Sequence, residues 1–569
     1  MRVSATARPG YGFWYSHNSA EPDTAPEAFY SALQDIRKPV FVVDAHGAPA
    51  VATWGRADLY PGSRSGEHGY ELRGFVPPLN PRDFGDPDFK RMLGIKYPYV
   101  AGAMANGITS VEMVTAAARA GMVGFFGAAG LGLSELEHAI DRLQEELGGL
   151  AFGMNLIHSP DAPELEGRVV DLYLQKGMRL VSASAYLRLT PHLVRYRVKG
   201  IYPDANGETI VPNRVVAKVS RTEVASRFLG PPPGKILEKL LQQDLITRQE
   251  ALLAARIPMA DAITAEADSG GHTDNQSAIA LLATMIALRD RMCAKYDYPR
   301  SISVGLAGGI ATPASTAAAF SMGAGYVLTG SVNQSCVEAG VCQTVRRMLA
   351  EAGQGDVTMA PSADMFEKGG RVQVLKRGTM FAMRAARLYD YYMRYSSFEQ
   401  IPEEERENIE KKFLRRNFET EWEKTRKFFL ERNPAQVARA EKDPRHKMAL
   451  VFRAYLGRSS MWAISGEPER KVDYQVWCGP AIGAFNEWVK DTFLEKAENR
   501  DFATIAMNLL VGAAVLTRAN WLQTQGVRLP PEAARFSPLK FEQLRILADS
   551  PDAETGFVSE PRRTGSAPG

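Results

Sequence analysis

Eight short apolar runs recur between residues 97 and 330, and most are followed by a longer amphipathic stretch. They are YPYVAG from 97, MVGFFG from 122, AFGMNL from 151, RLVSAS from 179, RVVAKV from 214, DAITAEA from 261, SISVGLA from 301 and GYVLTG from 325. Runs this short suit buried strands, while 110–120, 134–147, 164–176 and 277–295 repeat their apolar residues with helical spacing. Strand and helix alternating eight times is the pattern of a closed α/β fold, the (β/α)8 TIM barrel. An open doubly wound sheet would place its glycine-rich turn after the first strand. Here the glycine turns come late, after the sixth, seventh and eighth runs.

The chain has 569 residues, and such a barrel takes about 250 of them. The barrel is expected over 91–360, with insertions at 200–213 and 231–258. The first reads as a hairpin turning on Asn206-Gly207. The second reads as a helical pair after Pro231–Pro233, with Ile236, Leu237, Leu240 and Leu241 laid over the barrel mouth. Residues 1–90 read as a small N-terminal accessory domain with a strand at 39–44. Residues 361–549 carry helical periodicity and form the expected C-terminal helical region, and 550–569 read as a disordered tail.

Lys plus Arg number 68 against 65 Asp plus Glu, a balance that gives no reason to expect nucleic acid or an anionic membrane surface as a partner. The N-terminus lacks a basic segment followed by an apolar one, and no unbroken run of about 18 apolar residues is present, so no signal peptide and no membrane span are expected. Cys293, Cys336, Cys342 and Cys478 fall into no metal or CxxC spacing. A reducing, cytoplasmic location follows as an expectation, and a homodimer is left open.

Three glycine turns carry the candidate chemistry. In AGGIATPAS, Gly308 and Gly309 leave backbone exposed, Thr312 suits an N-cap and Pro313 suits the first helical position, so a phosphate can meet free N–H groups. Gly330 and Ser331 repeat the device one strand later. Two such turns after neighbouring barrel strands suit one phosphate monoester, as in FMN. In AEADSGGHTDN, Gly270 and Gly271 precede His272, which can move a proton at neutral pH, and Glu266 and Asp268 stand beside it. Asn155 and Lys218 lie toward the ends of the third and fifth runs. An amide there could bind the flavin edge, and an ammonium could sit by its N1 and O2 region. Ala103 and Met104, after the first run, could aim a backbone N–H at flavin N5. The cysteines read as core or surface residues, and Tyr389, Tyr391, Tyr392 and Tyr395 as helix packing.

Taken with GFFGAAGL, FGMNLIHSP, TGSVNQSCVEAG, MAPSADMFE, VQVLKRGTMFAMRAARLY and VDYQVWCGPAIGAFNEW, these motifs resemble the PfaD family over roughly residues 90–500. These are trans-acting enoyl reductases of polyunsaturated fatty acid and polyketide synthases, related to nitronate monooxygenase. The resemblance implies FMN as cofactor, NADPH as reductant, and a trans-2-enoyl thioester on an acyl carrier protein as substrate. It implies phosphate contacts at Gly308, Gly309, Gly330 and Ser331, ring contacts near Ala103, Met104, Asn155, Lys218 and Glu266, and His272 as the catalytic residue. The family pattern has Arg-Pro after HTDN, where this chain has Gln276 and Ser277. A nitronate-oxidising flavoenzyme and a non-catalytic flavin-binding scaffold are the alternatives. Arg415, Arg416, Lys424, Arg426 and Lys427 form a basic stretch on an expected helix that could dock the acidic surface of a carrier protein, with an ordinary solvated charged face as the alternative.

Overall fold

Eight parallel strands close into a ring: β1 (Tyr99–Ala101), β2 (Val123–Phe126), β3 (Gly153–Ile157), β4 (Leu180–Ser184), β5 (Arg214–Val219), β6 (Ala262–Glu266), β7 (Ser303–Ala307) and β8 (Val327–Thr329). Each pairs with its neighbour in sequence, and β8 returns to β1 through Val327–Tyr99 and Leu328–Val100. All eight expected strands are present. This computed structural model describes residues 10–16, 20–59, 69–160 and 163–549.

The lower barrel is filled by Val100, Phe125, Leu180, Val216, Ala262 and Leu328, all under 10% exposed. Phe89, from the helix Pro87–Leu93, joins them and stacks on Tyr326 with ring centroids 4.1 Å apart. Burying each large apolar side chain here contributes about 1.5–3 kcal/mol. The composition of the inward face then changes toward the strands' C-terminal ends. Lys218 stands opposite Thr264 in the β5–β6 register, and paired residues of parallel strands share a face. The Thr264 hydroxyl meets the Tyr326 hydroxyl of the core at 2.7 Å, so Lys218 and Glu266, two residues beyond Thr264, face the same interior. Asn155 stands opposite Ser182. The barrel is therefore apolar below and polar at its mouth.

The first insertion is the expected hairpin, Tyr202–Pro203 against Thr209–Ile210, with Gly207 at φ 81°. The second is the expected helical pair, Gly234–Gln242 and Arg248–Ala254, but it does not cover the mouth. It follows the helix Thr222–Leu229 and precedes β6, which attaches it at the strands' N-terminal ends. There it packs on the helix Pro191–Val198 and the first insertion. Glu250 fixes it by accepting from the Gly200 N–H at 2.6 Å.

Past β8 an antiparallel hairpin, β9 (Val357–Pro361) and β10 (Arg371–Leu375), straddles the expected boundary at 360, so the following region is not wholly helical. β10 is held from both sides. Gly271 and Gln373 exchange backbone hydrogen bonds at 3.0 and 2.7 Å, and Leu375 N–H donates to Val476 at 2.9 Å. The helices that follow share a second core built from Phe366, Phe381, Leu388, Phe413 and Tyr455, into which Tyr391 and Tyr392 pack as expected.

Contacts divide the chain into Phe84–Leu509 and a second unit in which residues up to Asp83 join those from Leu510 onward. The expected boundary at 90 and the single helical region 361–549 are both revised. The second unit carries a five-stranded antiparallel sheet around Trp14, Phe41, Val43 and Leu72. Its C-terminal segment belongs there because the Arg518 guanidinium donates to the carbonyls of Leu33, in the last turn of the helix Pro26–Gln34, and of Asp35 and Lys38 beyond it. Among the described residues one helix, Phe502–Thr524, is long and apolar enough to cross a membrane by length and composition, with a mean hydropathy of 1.6. Thr504, Asn508 and Arg518 interrupt its apolar letters, and 89% of its most apolar window is buried in the protein. The tail at 550–569 lies outside the described residues.

Candidate active site

The polar mouth is organised by two side-chain pairings. Lys218 Nζ lies 2.6 Å from Glu266 Oε1, with the two side chains 15% and 24% exposed. The ammonium therefore enters the mouth as half of an ion pair. Asn155 donates its amide Nδ2 to the Ser182 carbonyl at 3.1 Å and to Ser184 Oγ at 2.9 Å. That leaves its carbonyl oxygen, not its N–H, as the group it can offer a ligand. On the β1 side, the Met104 N–H is taken by Thr109 Oγ1 at 2.9 Å, which removes it as a ligand donor. The Ala103 N–H has no hydrogen-bond partner among the described residues.

The glycine turns serve two different purposes. A Cβ on Gly309 or on Gly330 would meet nothing within 4 Å, so both turns border open space. Neither the Gly309 nor the Gly330 N–H has a described internal partner. The helix Pro313–Ser321 begins beside them with Thr312 as N-cap and Pro313 at its first position, as expected. These features make an anion cradle, because unpaired N–H groups and the positive end of the helix dipole converge there. Gly308 is different: a Cβ there would lie 2.7 Å from the Asp268 carbonyl oxygen. Its missing side chain makes room for the β6 loop. Ser331 Oγ accepts from the Gly479 N–H at 2.9 Å.

Gly270 also makes room for protein, whereas a Cβ on Gly271 would meet nothing within 4 Å. A Cβ on Gly270 would lie 2.6–2.8 Å from the backbone of Cys478, and one on Gly479 would lie 2.9 Å from the Gly270 nitrogen. Segment 477–479 thus crosses the histidine loop at backbone contact, while Gly271, at φ 79°, pairs with Gln373. Gln276 takes part through its carbonyl, which accepts from the Asp268 N–H at 2.9 Å. The following helix starts at Ala278 without a side-chain cap from Ser277. The Cys478 thiol is pushed up to about 12 by burial and stays protonated.

His272 emerges from this crossing half-exposed. Its Nε2 lies 3.2 Å from Asp364 Oδ1. Burial acts to lower the imidazole pKa, but the hydrogen bond and charge of Asp364, with the charge of Glu266, outweigh it and hold the ring above its ordinary value. Burial likewise pushes Asp364 up, and the His272 contact overrides it to hold the carboxyl below the usual range. Burial raises Asp268 above that range. Three polar atoms near this loop, Asp268 Oδ1, Ser269 Oγ and Gln373 Oε1, are buried without a hydrogen-bond partner among the described residues. Asp364, Gln373 and Gly479 were not singled out by sequence. They lie in motifs noted there, MAPSADMFE, VQVLKRG and VWCGPAIG, but nothing local reveals that those segments fold back over β6.

The basic stretch is largely engaged internally. Arg415 donates to the Glu469 carbonyl, and Arg416 and Arg426 pair with Glu421 and Glu441 at 3.4 and 3.2 Å.

A family model described as nitronate monooxygenase matches residues 87–416, and one described as the inserted helical domain of acyl-carrier-protein S-malonyltransferase matches 395–474. The chain is 44% identical over 469 residues to a polyunsaturated fatty acid synthase subunit of Thraustochytrium sp., covering 81% of this chain and 31% of that one. It is 46% identical over 450 residues to the polyketide biosynthesis protein PksE of Bacillus subtilis, covering 79% of this chain and 58% of that one. It therefore spans about a third and just over half of those two relatives. The solved enoyl reductase domain of MlnA, from the macrolactin biosynthesis cluster of Bacillus amyloliquefaciens, is 40% identical with a TM-score of 0.74, covering 78% of this chain and 99% of that domain. The chain belongs to the nitronate monooxygenase family, in its PfaD-like enoyl reductase branch.

Proposed function

We propose that this chain is a trans-acting enoyl reductase, with NADPH as reductant, FMN as cofactor and a trans-2-enoyl thioester on an acyl carrier protein as substrate. The observation that carries this reading is the 40% identity to a solved enoyl reductase domain across 99% of that domain.

The residues at the mouth fit FMN. The open cradles at Gly309 and Gly330 present unpaired N–H groups, which match a phosphate. The orphaned acceptors Asp268 Oδ1 and Gln373 Oε1 match the hydroxyl donors of a ribityl chain. Lys218 and Glu266, with Ala103 and Asn155, would border the ring. When bound, FMN would supply hydride to the β-carbon of the enoyl group.

The remaining work falls to the chain. One hydride and one proton add across the C=C bond, and NADPH leaves as NADP⁺. Hydride addition puts negative charge on the thioester oxygen and α-carbon, so the site has to stabilise that charge and deliver a proton to the α-carbon. His272, held above its ordinary pKa at the mouth, is the proton donor in this reading. The Lys218–Glu266 pair keeps the cation of the mouth fixed in place.

The match of 395–474 to a helical domain of an acyl-carrier-protein transferase favours a carrier-protein partner. The internal pairing of Arg415, Arg416 and Arg426 leaves Lys424 and Lys427 as the better docking candidates of the basic stretch. Nitronate oxidation is the second reading, favoured by the family model over 87–416. Parallel assays decide between them, one with NADPH and an enoyl thioester on carrier protein, the other with a nitronate and oxygen. Saturated thioester in the first supports the proposal. Turnover in the second alone overturns it.

A further inference from the structure

The residue facing His272 does not belong to the barrel. Asp364 sits in the turn between β9 and β10, where the Ser362 N–H donates to the Gly370 carbonyl at 2.9 Å and closes the turn. The same hairpin is bonded to the histidine loop through Gln373 and Gly271, so donor and acceptor are both referenced to one rigid element. The turn is also clamped from the helical side. Arg453, on the helix Pro444–Ser465, donates to the Ala363 carbonyl at 2.8 Å. Glu367 accepts His446 Nδ1 at 2.9 Å and lies 3.4 Å from Arg439 and 3.5 Å from Arg453. Phe366 is fully buried in the second core. Asp364 is thus fixed by its neighbours on both sides while its own side chain stays 63% exposed.

Stability does not explain this arrangement. The His272 side chain is 48% exposed, and ion pairs between exposed groups contribute about 0–1 kcal/mol. Several interactions converge to hold in place a pair that adds at most about 1 kcal/mol to folding. What the pair does fix is the imidazole ring: with Nε2 engaged, Nδ1 is the nitrogen left for a ligand.

We propose that Asp364 is a positioning residue for His272, orienting the imidazole through Nε2, and that the C-terminal helical region completes the barrel's site through it. This rests on the reading of His272 as the proton donor. The charged groups facing His272 come from three elements, Asp364 on the hairpin turn, Glu266 on β6 and Lys218 on β5. Asp364 is the one in hydrogen-bond contact, and its charge favours the protonated ring.

The test follows the His272 ring resonance by NMR in the intact chain, assigned by its loss in His272→Gln, alongside pH profiles of enoyl reduction. Asp364→Asn removes the charge at an exposed position and Asp364→Glu restores it. The expected result is a fall of about one pKa unit in the His272 titration of Asp364→Asn, with partial return in Asp364→Glu. The alkaline limb of kcat should move down by the same amount, KM should stay within about twofold, and reduction of the bound flavin by NADPH should be unchanged. An unmoved titration overturns the positioning role whether or not the chain reduces enoyl thioesters. A shifted titration with an unmoved kcat limb overturns it as well. Failure of the parent reading would show separately, as full turnover in His272→Ala.

Discussion

Replacing Gly270 with alanine should loosen the crossing over the histidine loop. The new Cβ would sit 2.6, 2.7 and 2.8 Å from three backbone atoms of Cys478, against ordinary carbon contacts of about 3.5–4.0 Å. Backbone has no rotamer to swing aside, so the two segments must part by about 1 Å. Overpacking of this kind costs about 1–3 kcal/mol. The same movement stretches the 2.9 Å bond from Gly479 N–H to Ser331 Oγ out of range, for about 1 kcal/mol more. A total of about 2–4 kcal/mol should appear as local opening, which corresponds to roughly 30- to 1000-fold faster amide hydrogen exchange in the peptides covering 269–273 and 476–480. Gly309→Ala is the control. It meets no neighbour and costs only its left-handed conformation at φ 77°, about 1–2 kcal/mol, yet it should weaken FMN binding because its methyl enters the cradle. Exchange rates in Gly270→Ala equal to wild type would refute the claim that this glycine exists for the crossing.

Other outcomes follow from the same geometry. His272→Ala should retain FMN and lose at least ~100-fold in steady-state enoyl reduction, and near-normal turnover would end its role as proton donor. Lys218→Met leaves Glu266 partly buried and unpaired, so urea midpoints should report a loss of about 1–3 kcal/mol, and adding Glu266→Gln should recover part of it. Arg197, 1% exposed at 2.6 Å from Asp261, anchors the barrel's N-terminal end, and Arg197→Met should cost about 3–5 kcal/mol near neutral pH. Burial pushes Asp261 up, but Arg197 and Arg214 override it and hold the carboxyl below its usual range. That contribution is present above the unfolded value of about 3.9 and fades as pH falls through the lower folded value, so the Arg197→Met deficit should shrink in acid. Any His272 contribution runs the opposite way, present below about 6.5 and lost as pH rises through the raised folded value, and at an exposed pair it should stay under about 1 kcal/mol. Denaturant midpoints across pH check both signs.

The barrel was legible because its evidence is local. Runs such as MVGFFG and SISVGLA are short, apolar and bounded by turns, and their strands form within a residue or two of the expected ends. Thr312 and Pro313 announced their helix by chemistry that needs no tertiary context. The site was legible where it lies at strand ends, as with Lys218 and Glu266, and at the two open turns. It was not legible where a residue's meaning depends on a distant segment. The local sequence of Gly270 and Gly308 gave no sign that backbone from Cys478 and Asp268 packs against them. Asp364 carried no signal, because only the folding of β9 and β10 onto the β6 loop brings it to His272. The helical insertion was misplaced for a different reason: its position after a helix and before a strand already assigned it to the barrel's far end.

The most direct test of the central claim is an anaerobic titration of the FMN-loaded chain, first with NADPH and then with a trans-2-enoyl thioester on acyl carrier protein. The account predicts that the yellow absorbance bleaches with one equivalent of NADPH and returns with one equivalent of enoyl substrate, yielding the saturated thioester. A chain that takes up no FMN, or whose colour returns only when oxygen is admitted, would contradict it.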